Sequence, residues 1–590
     1  MSITAEPTLT HHAMLVAWGQ YAHCLGLVTA IEAVPFHQKT VLHRPQTKVL
    51  EFLVAILGGF EHLKDISLSA HPLDQDHMVA RAWGQPGWAD HSGVSRTLTG
   101  LTPTEAQQVG LALERVSQPL IDKEVVLALT TGRLQLDADL SPRPISDTST
   151  TYPGAAFGHM ADHVGLGYQA ALVTLQSVTY GRLGLAVAQH PGSTVACTQA
   201  EALVQAAERR LGRWPWRRTD LLQQRISALC MRREPLIQQV QEAQQQLTQA
   251  EAALTAVQHL VTETQQQTQS LQTAYDQQTR PAGPYSQLTK ATTRLAVYQR
   301  RQTRREHSVS QAHQWLTRQQ TALTAQEVEL NRLEQRLRQL KADNTANTAP
   351  LEACLRLDAG FNTPENVAGA IELGYEIYGK AYGTWLLNRL QARVTAQTTW
   401  QRVGQNAEMV AWPVIQLADF PYPLDLALER FHIGQEVRTA VLLHCGNDNV
   451  SADLAKWFHT YNARQTIEAG NKEGKQVFEI HHLKVRTPPA LQLQEQCALF
   501  AANFVRFAAV WLAEQCPQLP EGWKESTHPH VKQQVKVGAH TSAWVSWTEQ
   551  DCLLTFEELS VYASRSLTVK RLWAFQPVLP FAKSAFFEPS

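Results

Sequence analysis

Apolar positions recur along this chain with two ordinary periods and one stricter one. From Met14 to about Leu129 they recur at helical spacing. The run EFLVAILGGFEHLKDI (Glu51–Ile66) reads as a buried helix broken at Gly58-Gly59, and Thr102-Pro103-Thr104-Glu105 is a capping box with proline at the first helical position. A short helix over His91–Leu98 precedes it, with packing favoured over a helix-turn-helix role. The period then changes to two. Arg133–Leu140 (RLQLDADL), Gly167–Gln176 and Tyr180–Gln189 alternate as strands, the last two close enough to form a hairpin. A second capping box, Thr198–Glu201, opens a helix to Arg213.

The stricter period lies between Leu221 and Lys341. Leu236, Val240, Ala243, Leu247, Ala250, Leu254, Val257 and Val261 step by fours and threes, and the step resumes from Leu288 to Leu340. A sustained 3.5-residue repeat predicts a coiled coil, and Pro281-Ala282-Gly283-Pro284 between the halves predicts an antiparallel hairpin. Arms of about 55 residues at 1.5 Å per residue would be roughly 80 Å long. Arg300, Arg301, Arg304 and Arg305 on the returning arm read as a solvated face, with a DNA or partner contact as the alternative.

After the hairpin, CLRLDAGF predicts a strand ending at Asp358, Thr363-Pro364 caps a helix, and Gly374–Tyr378 is a further strand. Residues 396–447 read as β-rich, with strands at Ala411–Leu417, Leu426–Ile433 and Glu436–His444. A helix over Leu491–Glu514 follows, and the tail alternates as strands in AWVSW, CLLTF and LTVKRLWAF.

Candidate chemistry concentrates in DLAKWFHTYNARQTIEAGNKEGK, residues 453–475. On one continuous helix, Tyr461, Arg464, Glu468 and Lys475 would point at roughly 0°, 300°, 340° and 320° and so share one face. An acid, two cations and an aromatic on one stripe suit a phosphate-facing surface; a solvated face with i,i+4 pairing is the plainer alternative. Gly470, Asn471 and Gly474 would tend to end that helix before Lys475. Asp137 and Asp139 share a strand face, and Asp358 closes another strand.

This spacing resembles the tyrosine–arginine–glutamate–lysine (YREK) signature of DDE-type insertion-sequence transposases, and RLDAGF resembles the strand carrying their second aspartate. The resemblance runs from about Glu51 to Gln515 with the coiled coil excluded. It implies an α/β fold with an RNase H-like catalytic domain, a β-rich insertion, an N-terminal helical region and the coiled-coil hairpin inserted. The divisions expected are 1–125 (helical, a candidate for DNA binding), 126–220 (first half of the catalytic domain), 221–345 (hairpin), 346–395 (catalytic domain continued), 396–447 (β-rich insertion), 448–518 (YREK helix) and 519–590 (β-containing tail). It further implies a catalytic and metal-binding triad of Asp137, Asp358 and Glu468, with Asp139 as the alternative first acid. Two Mg²⁺ (or Mn²⁺) ions would sit there, because hard cations about 3.5–4 Å apart need carboxylate oxygens. Arg464, Lys475 and Tyr461 would contact DNA, and Trp400 and Trp412 in the insertion would stack on an unpaired base or simply serve as core. The implied partners are double-stranded DNA at terminal inverted repeats and target DNA, bound by a homodimer. A transposase-derived DNA-binding protein without cleavage activity and a coiled-coil scaffold are the competing readings.

Composition adds limits. Lys+Arg of 52 against Asp+Glu of 53 gives a net charge of −1, so DNA binding must come from local clusters. The 8 cysteines include no C-x-x-C pair, which argues against a zinc ribbon or disulfide framework and fits a reducing cytoplasm. The histidines form no H-x-x-x-H set, and His528-Pro529-His530 reads as a loop. The longest apolar stretch, Leu499–Ala513, is short for a bilayer and contains Asn503 and Arg506, and no signal peptide is visible. A cytoplasmic, nucleoid-associated protein without a membrane partner is the expectation.

Overall fold

The computed structural model of the chain describes residues 6–40, 42–160, 163–195, 198–277, 282–381, 383–418, 420–515, 531–548, 551–556 and 566–570. It divides into two compact units, one formed by residues 217–346 and the other by the two flanking parts of the chain.

The flanking parts form a mixed α/β unit. After β1 (Thr8–Thr10), the N-terminal region folds as α1 (Ala13–Cys24), α2 (Leu27–Glu32), α3 (Pro45–Leu57), α4 (Asp65–Leu68), α5 (His77–Ala82), α6 (His91–Thr99) and α7 (Pro103–Thr131). Helix α3 stops where Gly58-Gly59 begins, with Gly59 at φ 64°. The Thr102 capping box forms as expected, its hydroxyl accepting from the Glu105 N–H while the Glu105 carboxylate accepts from the Thr102 N–H.

The alternating segment becomes β2 (Leu134–Pro144), followed by β3 (Ala156–Met160), β4 (His163–Ser177) and β5 (Gly181–Pro191). Strand β3 has no counterpart in the sequence reading. Helix α8 (Ala200–Leu211) follows, but the second capping box does not form: Gln199 is the N-cap, and the Thr198 hydroxyl bonds back to the Val195 carbonyl within the preceding turn. The helix ends at Leu211, two residues short of Arg213, because Gly212 takes the left-handed conformation, φ 63°.

Beyond residues 217–346 come β6 (Ala353–Leu357), α11 (Pro364–Glu372), β7 (Glu376–Lys380) and α12 (Thr384–Gln391), the inserted helices being α9 (Thr219–Asp276) and α10 (Gln287–Ala346). The insertion strands are β8 (Gln401–Arg402), β9 (Ala407–Ile415), β10 (Leu424–Ile433) and β11 (Glu436–Cys445). Then follow α13 (Leu454–Asn462), α14 (Gln465–Gln476), α15 (Pro488–Gln515), and the strands β12 (Ala543–Trp547), β13 (Asp551–Phe556) and β14 (Ser566–Lys570).

A ten-stranded mixed sheet carries the unit, in the order β3-β4-β2-β6-β7-β11-β10-β9-β8 with β5 also on β4. β2 and β4, and β4 and β5, are antiparallel; β2, β6 and β7 run parallel; from β7 through β11, β10 and β9 to β8 the pairing is antiparallel again. The parallel strands are covered on both faces: all five residues of β6 are buried, Arg356 among them. A separate four-stranded sheet, β1-β12-β13-β14, joins the beginning of the chain to the tail, a pairing between residues more than 500 positions apart that local patterning does not encode. Of LTVKRLWAF, the residues after Lys570 lie outside the described residues, as does His528-Pro529-His530.

Helix α15 packs against α7, β5 and α3. Arg143 of β2 anchors it through a bidentate buried pair with Glu495, at 2.7 and 2.9 Å. By length and composition it is the one helix among the described residues that could cross a membrane, but 67% of its most apolar stretch is buried within the protein.

In the second unit, α9 and α10 pack along one another, and the bond from the Arg217 N–H to the Asn344 side chain (2.7 Å) brings the two ends together. Ala243 and Leu247 meet Leu316, flanked by Val240, Val309, Ala312 and Trp315, so positions from both halves of the heptad repeat form the seam. The arms are 58 and 60 residues long. Of the expected tip, Pro281 lies outside the described residues, while Ala282, Gly283 and Pro284 stand between the two helices.

Candidate active site

Two parallel neighbours and one helix supply the acids. In β2, residues 137 and 139 share a face, and β6 lies alongside with Asp137 opposite Arg356 in register. Asp358 stands just past the end of β6 as the strand gives way to a 3-10 turn over Ala359–Phe361. Glu468 lies in the first turn of α14.

The two aspartates of β2 meet different partners. Asp137 is fully buried and takes a bidentate contact from Arg356, Nε at 2.6 Å and Nη2 at 2.8 Å. Burial pushes its carboxyl up, and Arg356 opposes that. Asp139, two residues further along, faces Arg464. The Arg464 guanidinium stands 3.2 Å from Asp139, 3.9 Å from Asp358 and 3.1 Å from Glu468, so three carboxylates from three separate elements surround one cation. The structure therefore brings together Asp139, Asp358 and Glu468 and leaves Asp137, the first-choice acid, in a pair of its own.

Electrostatics follow from depth. Asp139 is 15% exposed, against 48% for Asp358 and 63% for Glu468. Burial raises its carboxyl to about 6; Arg464 opposes the rise, and Asp358 and Glu468 reinforce it. Arg464 is itself buried, which lowers its pKa, but Asp139 and Asp358 outweigh that and the net shift is upward. Its Nε is buried without a hydrogen-bond partner, so the guanidinium is incompletely satisfied where it stands.

The YREK stretch differs from the expected single helix. α13 ends at Asn462, and 3-10-type bonds from the Arg464 N–H to Tyr461 and from the Ile467 N–H to Arg464 mark the junction with α14. Arg464 sits at that break, from which it reaches Asp139. Tyr461 does not join the acids' surface: it is buried among Cys354, Tyr378, Trp457 and their neighbours, and burial raises its phenol well above the usual range. Lys475 is half-buried in the last turn of α14; burial lowers its pKa, with Arg143 adding to the effect and Asp139 opposing it.

The glycines of α14 do not end it. A Cβ on Gly470 would fall 2.1 Å from the Arg182 guanidinium carbon, so glycine here admits Arg182. From that position Arg182 bonds the Thr466 carbonyl, while Arg506 of α15 holds Glu473 at 2.8 Å. These contacts fix the helix that presents Glu468.

Three contributors escaped the sequence reading. Asn471 donates to Asp139 at 2.5 Å, and its place three residues after Glu468, on the same helix face, was the available signal. Arg356 could be found only through the β2–β6 register, and Arg182 only through the packing of β5 on α14. The tryptophans lie in or beside the insertion strands: the Trp400 ring is covered by the Arg430 guanidinium at 3.9 Å, and Trp412 pairs in register with Leu426. A base stacking on that face of Trp400 would have to displace Arg430.

The donor set suits hard divalent cations, being carboxylate oxygens with negative charge in excess of the single arginine among them. Their nearest oxygens are not drawn into a ready-made cage; among the described residues the tight groups of metal-ligating atoms are elsewhere, around His482. No model of a known protein family matches the chain, and no curated protein matches it significantly.

Proposed function

We propose that the chain is a DDE-type DNA transposase, with Asp139, Asp358 and Glu468 as its acids and an RNase H-like arrangement as its catalytic core. The observation that carries this reading is the convergence of these three side chains on Arg464 from β2, the end of β6 and α14. The strand order supports it: in β5-β4-β2-β6-β7, an antiparallel hairpin followed by parallel strands, β2 with Asp139 lies beside β6, which leads into Asp358, as an RNase H-like sheet requires. Asp139 replaces Asp137 in the triad, since Arg356 already occupies both oxygens of Asp137.

Asp139, Asp358 and Glu468 would hold Mg²⁺, which supplies an activated nucleophilic oxygen and charge stabilisation for the leaving oxygen. Asn471 fixes the orientation of Asp139, and the Gly470 approach of Arg182 fixes the helix bearing Glu468. Arg464 balances the carboxylates, its two terminal nitrogens taken up by Asp139 and Glu468 and its side chain only 6% exposed. Lys475, on the same helix, adds positive charge within reach of the backbone. The substrate would be the DNA ends of the element that encodes the chain, bound by two copies.

Glu468→Gln keeps the shape of the side chain but removes its charge. The variant should bind duplexes carrying the inverted repeats that flank the gene with near wild-type affinity, while Mg²⁺-dependent nicking drops by more than about a hundredfold. Lys475→Ala, which removes the part-exposed cation of that helix, should weaken DNA binding and flatten its salt dependence by about one phosphate contact. Cleavage at the wild-type rate by Glu468→Gln would refute this reading.

A further inference from the structure

We propose that Glu61, His62 and His482 form a binding site for a divalent transition-metal ion of the zinc class, separate from the carboxylate site. Glu61 and His62 follow the glycine turn that ends α3, and His482 lies in the loop after α14. Their ligand atoms all lie within 4.8 Å of one another. The Glu61 carboxylate oxygen is 3.0 Å from His482 Nε2 and 3.5 Å from His62 Nε2. Ligands at 2.0–2.2 Å from a tetrahedral zinc are separated by about 3.3 Å, so these spacings bracket the edge a bound ion requires. The His62 and His482 rings meet edge to face, with centroids 5.0 Å apart.

Ligand chemistry selects the metal. Two imidazoles with one carboxylate favour zinc and its neighbours over magnesium, which prefers an all-oxygen shell. Partial exposure of all three side chains leaves room for a water as fourth ligand. The loops are already held in place by Lys484, whose ammonium donates to the backbone carbonyls of both Glu61 and Glu479 at 3.0 Å.

A second grouping, Glu479 with His481 and His482, is the weaker candidate. Glu479 is committed to the Lys536 ammonium at 2.5 Å, and a lysine so close opposes a cation on the same carboxylate. Glu479 also has a left-handed backbone, φ 52°, a strained conformation for glutamate that directs the chain from α14 toward His482. An ion on Glu61, His62 and His482 would join the N-terminal helical region to the loop leaving the helix that bears Glu468.

The full chain, stripped with chelator and dialysed against ZnCl₂ with 10 mM-scale excess Mg²⁺ present, provides the test, read by elemental analysis and titration calorimetry; Mg²⁺ should not compete. One zinc per chain is expected, with His62→Ala and His482→Ala each lowering affinity at least about tenfold and His481→Ala leaving it within about twofold. Circular dichroism of each variant separates loss of ligand from loss of fold. Zinc should also raise the unfolding temperature of the wild type but not of His62→Ala. Absence of stoichiometric zinc, binding unaffected by His62→Ala and His482→Ala, or binding abolished by His481→Ala but not by His62→Ala would each overturn the proposal. The readouts are independent of DNA cleavage, so an inactive protein that binds zinc would count against the transposase reading alone.

Discussion

Asp137 and Asp139 are two residues apart on one strand face, yet their environments give them opposite tasks. Asp137 is matched by Arg356, whose guanidinium is fully buried, and removing one partner of such a pair leaves the other charge stranded. Asp137→Asn should therefore destabilise the fold by about 3–5 kcal/mol, seen as a lower urea midpoint with an unchanged slope. Asp139→Asn should do the reverse, because Arg464 keeps Asp358 and Glu468 as partners whereas Asp137 is the carboxylate on Arg356. Its carboxyl is raised to about 6 from an ordinary value near 4, so the folded state binds the proton more tightly than the unfolded chain does. The sign follows: the folded state is favoured while the group is protonated, and that advantage is lost as pH rises from about 4 to about 6. Replacing it by the neutral amide should stabilise the protein by up to about 3 kcal/mol at pH 8 and by little at pH 4, while abolishing Mg²⁺-dependent nicking. Urea unfolding of both variants at the two pH values checks the contrast; equal destabilisation by both substitutions would mean that both aspartates are structural.

At the scale of elements, the hairpin is the segment whose independence is most directly testable. Arg217 and Asn344 bond to each other at its base, while Trp214 accepts from the Asn347 side chain and the Leu351 N–H on the flanking strands of chain. Entry and exit are thus adjacent within each unit, and replacing residues 219–346 by a short Gly-Ser linker closes a small gap at modest entropic cost. The shortened protein should remain soluble, with the cooperative unfolding of the remaining unit retained; aggregation on expression would refute the prediction. The hairpin was legible in sequence because heptads are local, and so were the Thr102 cap, the Gly58-Gly59 break and the alternating β2, β4 and β5. What was not legible depended on tertiary competition. Thr198 had two ways to satisfy its hydroxyl, and the turn prevailed over the cap. Residues 453–475 have the periodicity of one helix, but Tyr461 enters the core while Arg464 reaches the acids from a break between two helices. Which of two same-face aspartates meets the acids was set by the parallel register that pairs Asp137 with Arg356, and periodicity does not contain register.

Across the whole α/β unit, a buried charge network fastens the β-rich insertion to the parallel strands that carry the acids. His444 of β11, fully buried, bonds Asp425 of β10 at 2.9 Å and Glu376 of β7 at 2.8 Å. Glu376 in turn meets Arg133, which also holds Asp448 at 2.8 Å, and Asp448 accepts from the Tyr378 hydroxyl. Burial alone would lower the pKa of His444, but Asp425 and Glu376 outweigh it, so the imidazole is held above its ordinary value. A histidine raised on folding contributes stability that is fully present below its unfolded pKa of about 6.5 and is lost as pH climbs through the higher folded value. His444→Gln can still donate to one of the two carboxylates but cannot titrate. The wild type should thus exceed the variant in unfolding temperature by the greatest margin near pH 6, and that margin should shrink steadily toward pH 9. Because the network couples the insertion to β7, the loss should appear in the main unfolding transition of the unit. A margin that stays constant from pH 6 to pH 9 would mean that His444 does not change protonation in that range and would refute the prediction.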